Sequence, residues 1–204
     1  MKKTTLGLLS LVAATAFAAP AHAQIPNISP FSFEVRGGLA LPSGELKDEA
    51  NAQTGYTVGA NATFHLSPLL GIYGGYTYNR FGVDLGDLEE EVDEDVSVDV
   101  VDQGFNAGVR VAIPTPLIPI DPYLKAGAVF NKVGFAGDDV DGDDFESDNS
   151  LGFEIGAGVG IGLGPKLSFT PQVTYTSYKP KFDGESDDES VDHIRLDVGL
   201  RIRL

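Results

Sequence analysis

Apolar residues alternate with small or polar ones along most of the chain after residue 30, and this period of two constrains the fold more than any other feature. A period of two is typical of β-strands, whereas an amphipathic helix repeats every 3.6 residues. Eight segments show the alternation, and they predict strands over residues 31–41, 54–66, 70–83, 100–113, 122–136, 149–163, 166–182 and 191–204. The chain is therefore predicted to be all-β.

The connections between these segments are alternately short and long. The short ones are 67–69, 114–121 and 164–165, and the long ones are 42–53, 84–99, 137–148 and 183–190. In an antiparallel up-and-down sheet, this order places every short turn at one end and every long loop at the other. We call these the short-turn end and the loop end, and both chain termini are predicted to lie at the short-turn end.

Acidic residues are concentrated in the four long connections. The chain has 30 Asp and Glu against 14 Lys and Arg, a net charge of −16, and 25 of the 30 acids fall in these connections when the fourth is extended to Asp192. A soluble protein spreads charge over its surface, so this segregation indicates a protein whose sides do not face water. The negative charge also argues against nucleic acid as a partner, because phosphates would be repelled.

The two faces of the predicted strands distinguish a membrane barrel from a soluble one. One face carries large apolar side chains, such as Leu196 and Val198, and the other carries Gly, Asn, Thr and Ala with a few charges of both signs. Small and paired polar groups suit a narrow interior, and apolar groups suit a lipid-facing exterior. We therefore predict an eight-stranded antiparallel up-and-down transmembrane β-barrel. Its first strand pairs with its last, because an open sheet edge is costly in lipid.

The charged residues of the small-residue face are predicted to form an ion-pair network inside the barrel. They are Glu34, Arg36, Asp102, Arg110, Lys125, Glu154, Arg195, Asp197 and Arg201. Eight strands enclose an interior just wide enough for side chains to fill, so we expect a filled lumen. A water-filled pore is the alternative, because the glycines of segment 149–163 are small enough to leave space for water in the lumen. Aromatic residues near strand ends, among them Tyr123 and Tyr178, are predicted to form interfacial girdles.

Residues 1–23 have the organisation of a secretory signal peptide. Lys2 and Lys3 precede an apolar stretch, and the small-residue site Ala21-His22-Ala23 ends it. The expected division is therefore a signal peptide over 1–23 and a barrel domain over 24–204.

This combination of a signal peptide, eight amphipathic strands, alternating short and long links and a C-terminal strand resembles the small outer-membrane β-barrel family, typified by OmpX and the OmpA transmembrane domain. The resemblance covers residues 24–204. It implies a monomer in the bacterial outer membrane, surrounded by lipid and lipopolysaccharide and inserted by the barrel-assembly machinery, with periplasmic termini and extracellular long loops. One departure is the C-terminus, since the family usually ends in Phe and this chain ends in Arg203-Leu204.

The role expected from this pattern is structural or interactive at the cell surface. The alternatives are a small porin-like channel for ions or small solutes, and a soluble periplasmic barrel of the lipocalin type. No enzymatic activity is expected, because His65 and His193, the histidines after the signal peptide, are predicted at opposite ends of the barrel. A set formed by Ser190, Asp192 and His193 is conceivable by proximity alone.

The third long connection has enough carboxylates to attract divalent cations. Its candidate ligands are Asp139, Asp141, Asp143, Asp144 and Glu146. Their spacing lacks the Gly at position six and the Glu at position twelve of an EF-hand. We expect weak, non-stoichiometric Ca²⁺ or Mg²⁺ binding and no other cofactor, and the alternative is an acidic loop that is only solvated.

Overall fold

The computed structural model describes residues 30–44, 46, 52–82, 98–115, 120–137, 147–181 and 190–204. The strands are β1 (Phe31–Ser43), β2 (Gly55–His65), β3 (Leu70–Gly82), β4 (Val98–Ala112), β5 (Ile120–Gly137), β6 (Ser150–Gly162), β7 (Leu167–Phe169), β8 (Gln172–Tyr178) and β9 (Val191–Arg203). They form one antiparallel sheet, and β1 pairs with β9 to close it into a ring. No helix within these ranges is long and apolar enough to cross a membrane.

β7 and β8 are two halves of a single strand of the barrel wall. Both halves pair with β6 and β9 without a change of register. Between them, Thr170 exchanges backbone hydrogen bonds of 2.8 and 3.1 Å with Gly199. Pro171 accepts a bond of 3.0 Å from Val159 but has no N–H to return. The nine elements therefore make an eight-stranded ring, which confirms the predicted fold class, although segment 166–182 is interrupted at its proline.

The register around the ring fixes the tilt of the strands. Stepping from partner to partner, the path runs through Phe31, Phe64, Ile72, Val109, Ala126, Ile155, Tyr175, Ile194 and Leu41. It returns to β1 ten residues after its start. With standard strand spacings, this stagger over eight strands gives a tilt of about 41°. A strand the length of β1 then rises about 32 Å, more than the ~25 Å apolar band of an outer-membrane barrel.

Large apolar side chains point outwards and polar ones point into the ring. In β9, Ile194, Leu196 and Val198 are exposed, whereas Arg195 and Asp197 are buried. The same alternation runs along β1, β2 and β6. The predicted sidedness is therefore confirmed. It is the reverse of a soluble lipocalin-type barrel, in which the apolar face lines the interior.

Two tyrosines predicted for the interfacial girdles lie inside the barrel instead. Tyr123 and Tyr178 are each only 2% exposed. The Tyr123 ring occupies the space over Gly158, where an added Cβ would lie 2.5 Å from it. A Cβ at Gly156 would likewise lie 2.9 Å from the Thr174 hydroxyl and 3.1 Å from Cε of Lys125. These two glycines of β6 therefore accommodate side chains from the neighbouring strands rather than open space.

Candidate functional site in the barrel lumen

The lumen is where the polar side chains of the strands converge. From the short-turn end to the loop end, its inward-facing residues form four layers: a vestibule, an ion-pair layer, a layer around Asp102 and an apolar plug. Each layer draws residues from several strands, because the tilt brings positions far apart in the sequence to the same height.

Glu154 is the centre of the first cluster of the ion-pair layer. Its fully buried carboxylate accepts hydrogen bonds of 2.7 Å from Arg195 Nη2, 3.3 Å from Lys125 Nζ and 2.7 Å from the Tyr73 hydroxyl. One carboxylate thus accepts hydrogen bonds from two buried cations and a phenol, and these three donors compensate its buried negative charge.

Glu34 and Asp197 hold the second cluster of the ion-pair layer. Arg201 donates to Glu34 across the junction of β1 and β9. The Arg36 guanidinium lies between the two acids, with Nη1 3.6 Å from Glu34 and Nε 3.9 Å from Asp197. Its Nη2 donates to Asn61 Oδ1 at 2.8 Å. This cluster therefore ties the first, second and last strands together inside the barrel.

Arg110 is a predicted network member that the structure places apart from the ion pairs. Its guanidinium carbon lies 3.7 Å from the centre of the Tyr123 ring. The Tyr123 hydroxyl in turn donates to Gln172 at 3.0 Å. Among the described residues, no carboxylate lies within 4.0 Å of Arg110.

Asp102 is held mainly by neutral groups. It accepts hydrogen bonds from Asn79 at 2.9 Å, from Asn131 at 2.8 Å and from the Tyr178 hydroxyl at 2.8 Å. The His193 ring is also buried beside it, with Nδ1 3.6 Å from the carboxylate. Three donors to one carboxylate explain how this charge is accommodated without an arginine or lysine.

The apolar plug closes the lumen at the loop end. It consists of the buried apolar cluster of the described residues without Val129 and Tyr178, namely Ala40, Leu46, Ala52, Phe81, Val100, Val133 and Val191. Leu46 and Ala52 belong to the first long connection, and Gln53 next to them donates its backbone N–H to Gly82 at 2.7 Å. Sequence reasoning missed this plug, although Phe81 has the same strand parity as the inward-facing Asn79.

The vestibule is a cavity of about 340 Å³ at the short-turn end. The turn 66–69 forms part of its rim, together with residues from β4, β5, β7 and β9. Its charged and titratable lining residues are His65, Arg110, Asp121, Arg201 and Arg203.

The structure does not assemble the catalytic set considered from the sequence. Asp192 accepts hydrogen bonds from Ser190 at 2.5 Å and from the Tyr175 hydroxyl at 2.9 Å. His193 is the next residue in β9, so its side chain points to the opposite face, into the lumen. His65 lies at the other end of the barrel, with Nε2 2.9 Å from the Ser32 hydroxyl.

The candidate cation ligands lie outside the described residues. Asp139, Asp141, Asp143, Asp144 and Glu146 belong to this group, as do the predicted signal peptide and most of the acidic residues of the long connections. Within the described ranges, no three His, Asp or Glu side chains come together in a way that would hold a metal ion.

Comparison with known proteins places the chain among membrane barrels. Residues 9–201 match the family model described as the outer membrane protein beta-barrel domain. Neisserial surface protein A has a similar fold, with a TM-score of 0.58 and 18% identity over 88% of this chain and 100% of that chain. OprG from Pseudomonas aeruginosa gives a TM-score of 0.49 and 13% identity over 87% and 98% of the two chains. No curated protein sequence matches the chain.

Proposed function

Because the chain belongs to the outer membrane β-barrel family, we propose that it is a closed surface barrel of the bacterial outer membrane, with a structural or interactive role rather than a transport role. The observation that carries this proposal is the occlusion of the lumen at two levels. The ion-pair layer fills the middle of the ring, and the apolar plug fills its loop end.

Opening the middle layer would separate charges that are buried together. Glu154, Lys125 and Arg195 have little contact with water. Moving one of these side chains away from the centre of the lumen would leave a buried charge without its counter-charge. Breaking a buried ion pair in this way costs several kcal/mol. A passage for ions is therefore unfavourable unless several side chains move at once.

Conductance of the purified protein in planar bilayers tests this proposal. We expect no reproducible unit steps for the wild-type barrel. Arg195→Ala changes the lumen, and Arg80→Gln changes an ion pair with Asp99 on the outer face of the wall. If the wild type shows steps whose size changes in Arg195→Ala but not in Arg80→Gln, current passes through the lumen and the closed-barrel proposal is wrong.

A small channel is the second candidate, and one observation favours it. Thr170, Thr174 and Thr176 carry buried hydroxyls that find no hydrogen-bond partner among the described residues, and both ring nitrogens of His193 share this property. Buried polar groups normally have partners, often ordered water. A hydrated path along the wall formed by β7, β8 and β9 would satisfy them, and the same conductance experiment decides whether it conducts.

The orientation, processing and surroundings are part of the same proposal. Residues 1–23 would be removed on export, the short-turn end would face the periplasm, and the acidic connections would face outwards, next to lipopolysaccharide. Carboxylates repel that anionic lipid, so we expect divalent cations to bridge the two. Titration with EDTA and then Ca²⁺ should change the protease sensitivity of the loops, and a constant sensitivity would contradict this point.

A further inference from the structure

We propose that the vestibule binds a small anion that carries a phosphate group. Among the described residues, three arginines and one histidine line this cavity of about 340 Å³, against one lining carboxylate, Asp121. The inference is independent of the proposed function, because a closed barrel and a conducting barrel would have the same vestibule.

Arg110 indicates an anionic ligand most directly. Its Nε is buried and has no hydrogen-bond partner in the described part of the chain. A cation–π contact with the Tyr123 ring, 3.7 Å from the guanidinium carbon to the ring centre, holds this group at the cavity wall. A poorly solvated guanidinium without an anion is costly, and a bound anion would remove that cost. The other cations of the predicted network each lie within 4.0 Å of a carboxylate.

The remaining charges reinforce the positive field at this end. Arg201 pairs with Glu34, and Arg36 lies 3.6 Å from Glu34 and 3.9 Å from Asp197, so these two cations and two carboxylates balance one another. Arg203 adds a further cation at the exposed rim. Arg110 and Arg203 then remain against Asp121 among the described lining residues, so an anion that enters the vestibule meets a net positive charge.

Phosphate matches this lining better than a single carboxylate does. The planar fork of a guanidinium binds two oxygens of one phosphate, and a phosphate has further oxygens for a second and a third cation. The volume lies at the lower end of the range for small-molecule sites. Leu66, Leu69 and Leu70 supply an apolar side to the cavity. Two sources fit this chemistry, a free phosphate compound and the headgroup of an anionic lipid at the rim.

Titration of the folded full chain with pyrophosphate tests the proposal. The barrel is kept in a phosphate-free detergent such as octyl glucoside, and binding is followed by calorimetry and by the NMR shifts of arginine Nε–H groups. We expect saturable binding with one site per chain and a shift of the Arg110 Nε–H signal. Arg110→Gln, and Ser168→Glu in the cavity lining, should each weaken binding about tenfold, equivalent to about 1.4 kcal/mol.

Arg80→Gln is the matched control, since it removes one arginine from the outer face and should leave binding unchanged. The fold of each variant is checked by its gel mobility before and after heating. Where Arg110→Gln fails to fold, Ser168→Glu and Arg203→Gln carry the test. The proposal is wrong if pyrophosphate binding does not saturate, or if the folded vestibule variants bind it as tightly as the wild type.

Nanodiscs of phosphatidylcholine with and without phosphatidylglycerol distinguish the two sources. If a lipid headgroup occupies the vestibule, phosphatidylglycerol should lower the apparent affinity for pyrophosphate in the wild type. If the natural ligand is a free compound, the affinity should be the same in both discs. Either result supports phosphate recognition.

Discussion

Glu154→Gln replaces one carboxylate oxygen by an amide nitrogen and removes the charge that holds the first cluster of the ion-pair layer together. In the wild type, this carboxylate accepts from Arg195, Lys125 and Tyr73. The amide retains one acceptor oxygen, and its NH₂ group faces donors. Lys125 and Arg195 then remain buried without the carboxylate that both of them contact.

The expected loss of unfolding free energy is about 3 to 5 kcal/mol, the range for breaking a buried pair and leaving its charge uncompensated. Adding Lys125→Met removes one of the two stranded cations. The double variant should therefore lose less than the sum of the single effects, with a coupling energy of about 1 to 3 kcal/mol. Arg80→Gln is the control, because its pair with Asp99 is partly exposed and such pairs contribute about 1 kcal/mol or less.

Urea unfolding of the four variants and the wild type in lipid vesicles measures these values, with circular dichroism and heat-dependent gel mobility as two independent probes. Agreement of the two probes supports a two-state analysis. If Glu154→Gln costs no more than Arg80→Gln, or if the double variant shows no coupling, the lumen charges do not depend on one another and this prediction is wrong.

Three further predictions concern the wall and the plug. Gly104→Ala should cost about 1 to 3 kcal/mol by overpacking, because its Cβ would overlap oxygen atoms of β5, whereas Gly162→Ala meets nothing within 4 Å and should be neutral in the same urea assay. Pro171→Ala should introduce an amide that bonds to β6, so hydrogen exchange at position 171 should be as slow as at its neighbours, and fast exchange would contradict the register. Phe81→Ala should cost about 3 to 5 kcal/mol through the cavity it leaves in the plug. Phe105→Ala, on the outer face, should cost less than half of that, since acyl chains fill the space, and equal losses would show that Phe81 is not packed inside.

The parts of the fold that depend on local pattern could be predicted from the sequence. The alternation in segment 191–204 identified both the strand and the face that meets lipid, because the side-chain period of a strand is a local property. The lengths of the connections then gave the up-and-down order. Segment 166–182 was the exception, since the pattern alone does not show that Pro171 interrupts the hydrogen bonding.

Alternate residues of a strand point to opposite faces, so the face of a residue follows from its spacing to a neighbour of known orientation. Its distance from the end of the strand does not show this. Tyr123 stands two residues before Lys125, so both face the lumen, yet its place near a strand end predicted an interfacial girdle. Phe81 stands two residues after Asn79 in the same way. An apolar residue on the polar face is the sequence signal for the plug.

Contacts across the lumen lay beyond sequence reasoning. Tyr73 of β3 meets Glu154 of β6 across 81 positions, and Tyr178 of β8 meets Asp102 of β4 across 76. Such pairs depend on the ten-residue stagger of the ring, which brings distant positions to one height. A single sequence gives the charges and their parity but not the stagger, so the partners of Asp102 and the separation of Arg110 from the ion pairs could not be derived.

Because β1 pairs with β9, each strand of the finished wall has two partners, and nothing in the pairing marks β1 as the first strand. Ser32 lies opposite Arg203, so a short linker could connect β9 to β1 at the short-turn end, and a cut in the turn 66–69 would leave every pair of wall strands intact. During assembly of the barrel the position of the chain ends is not arbitrary, because β1 has an unprotected edge until β9 pairs with it. A circular permutant would therefore have the same architecture as the natural protein, but a different strand would have the unpaired edge during assembly.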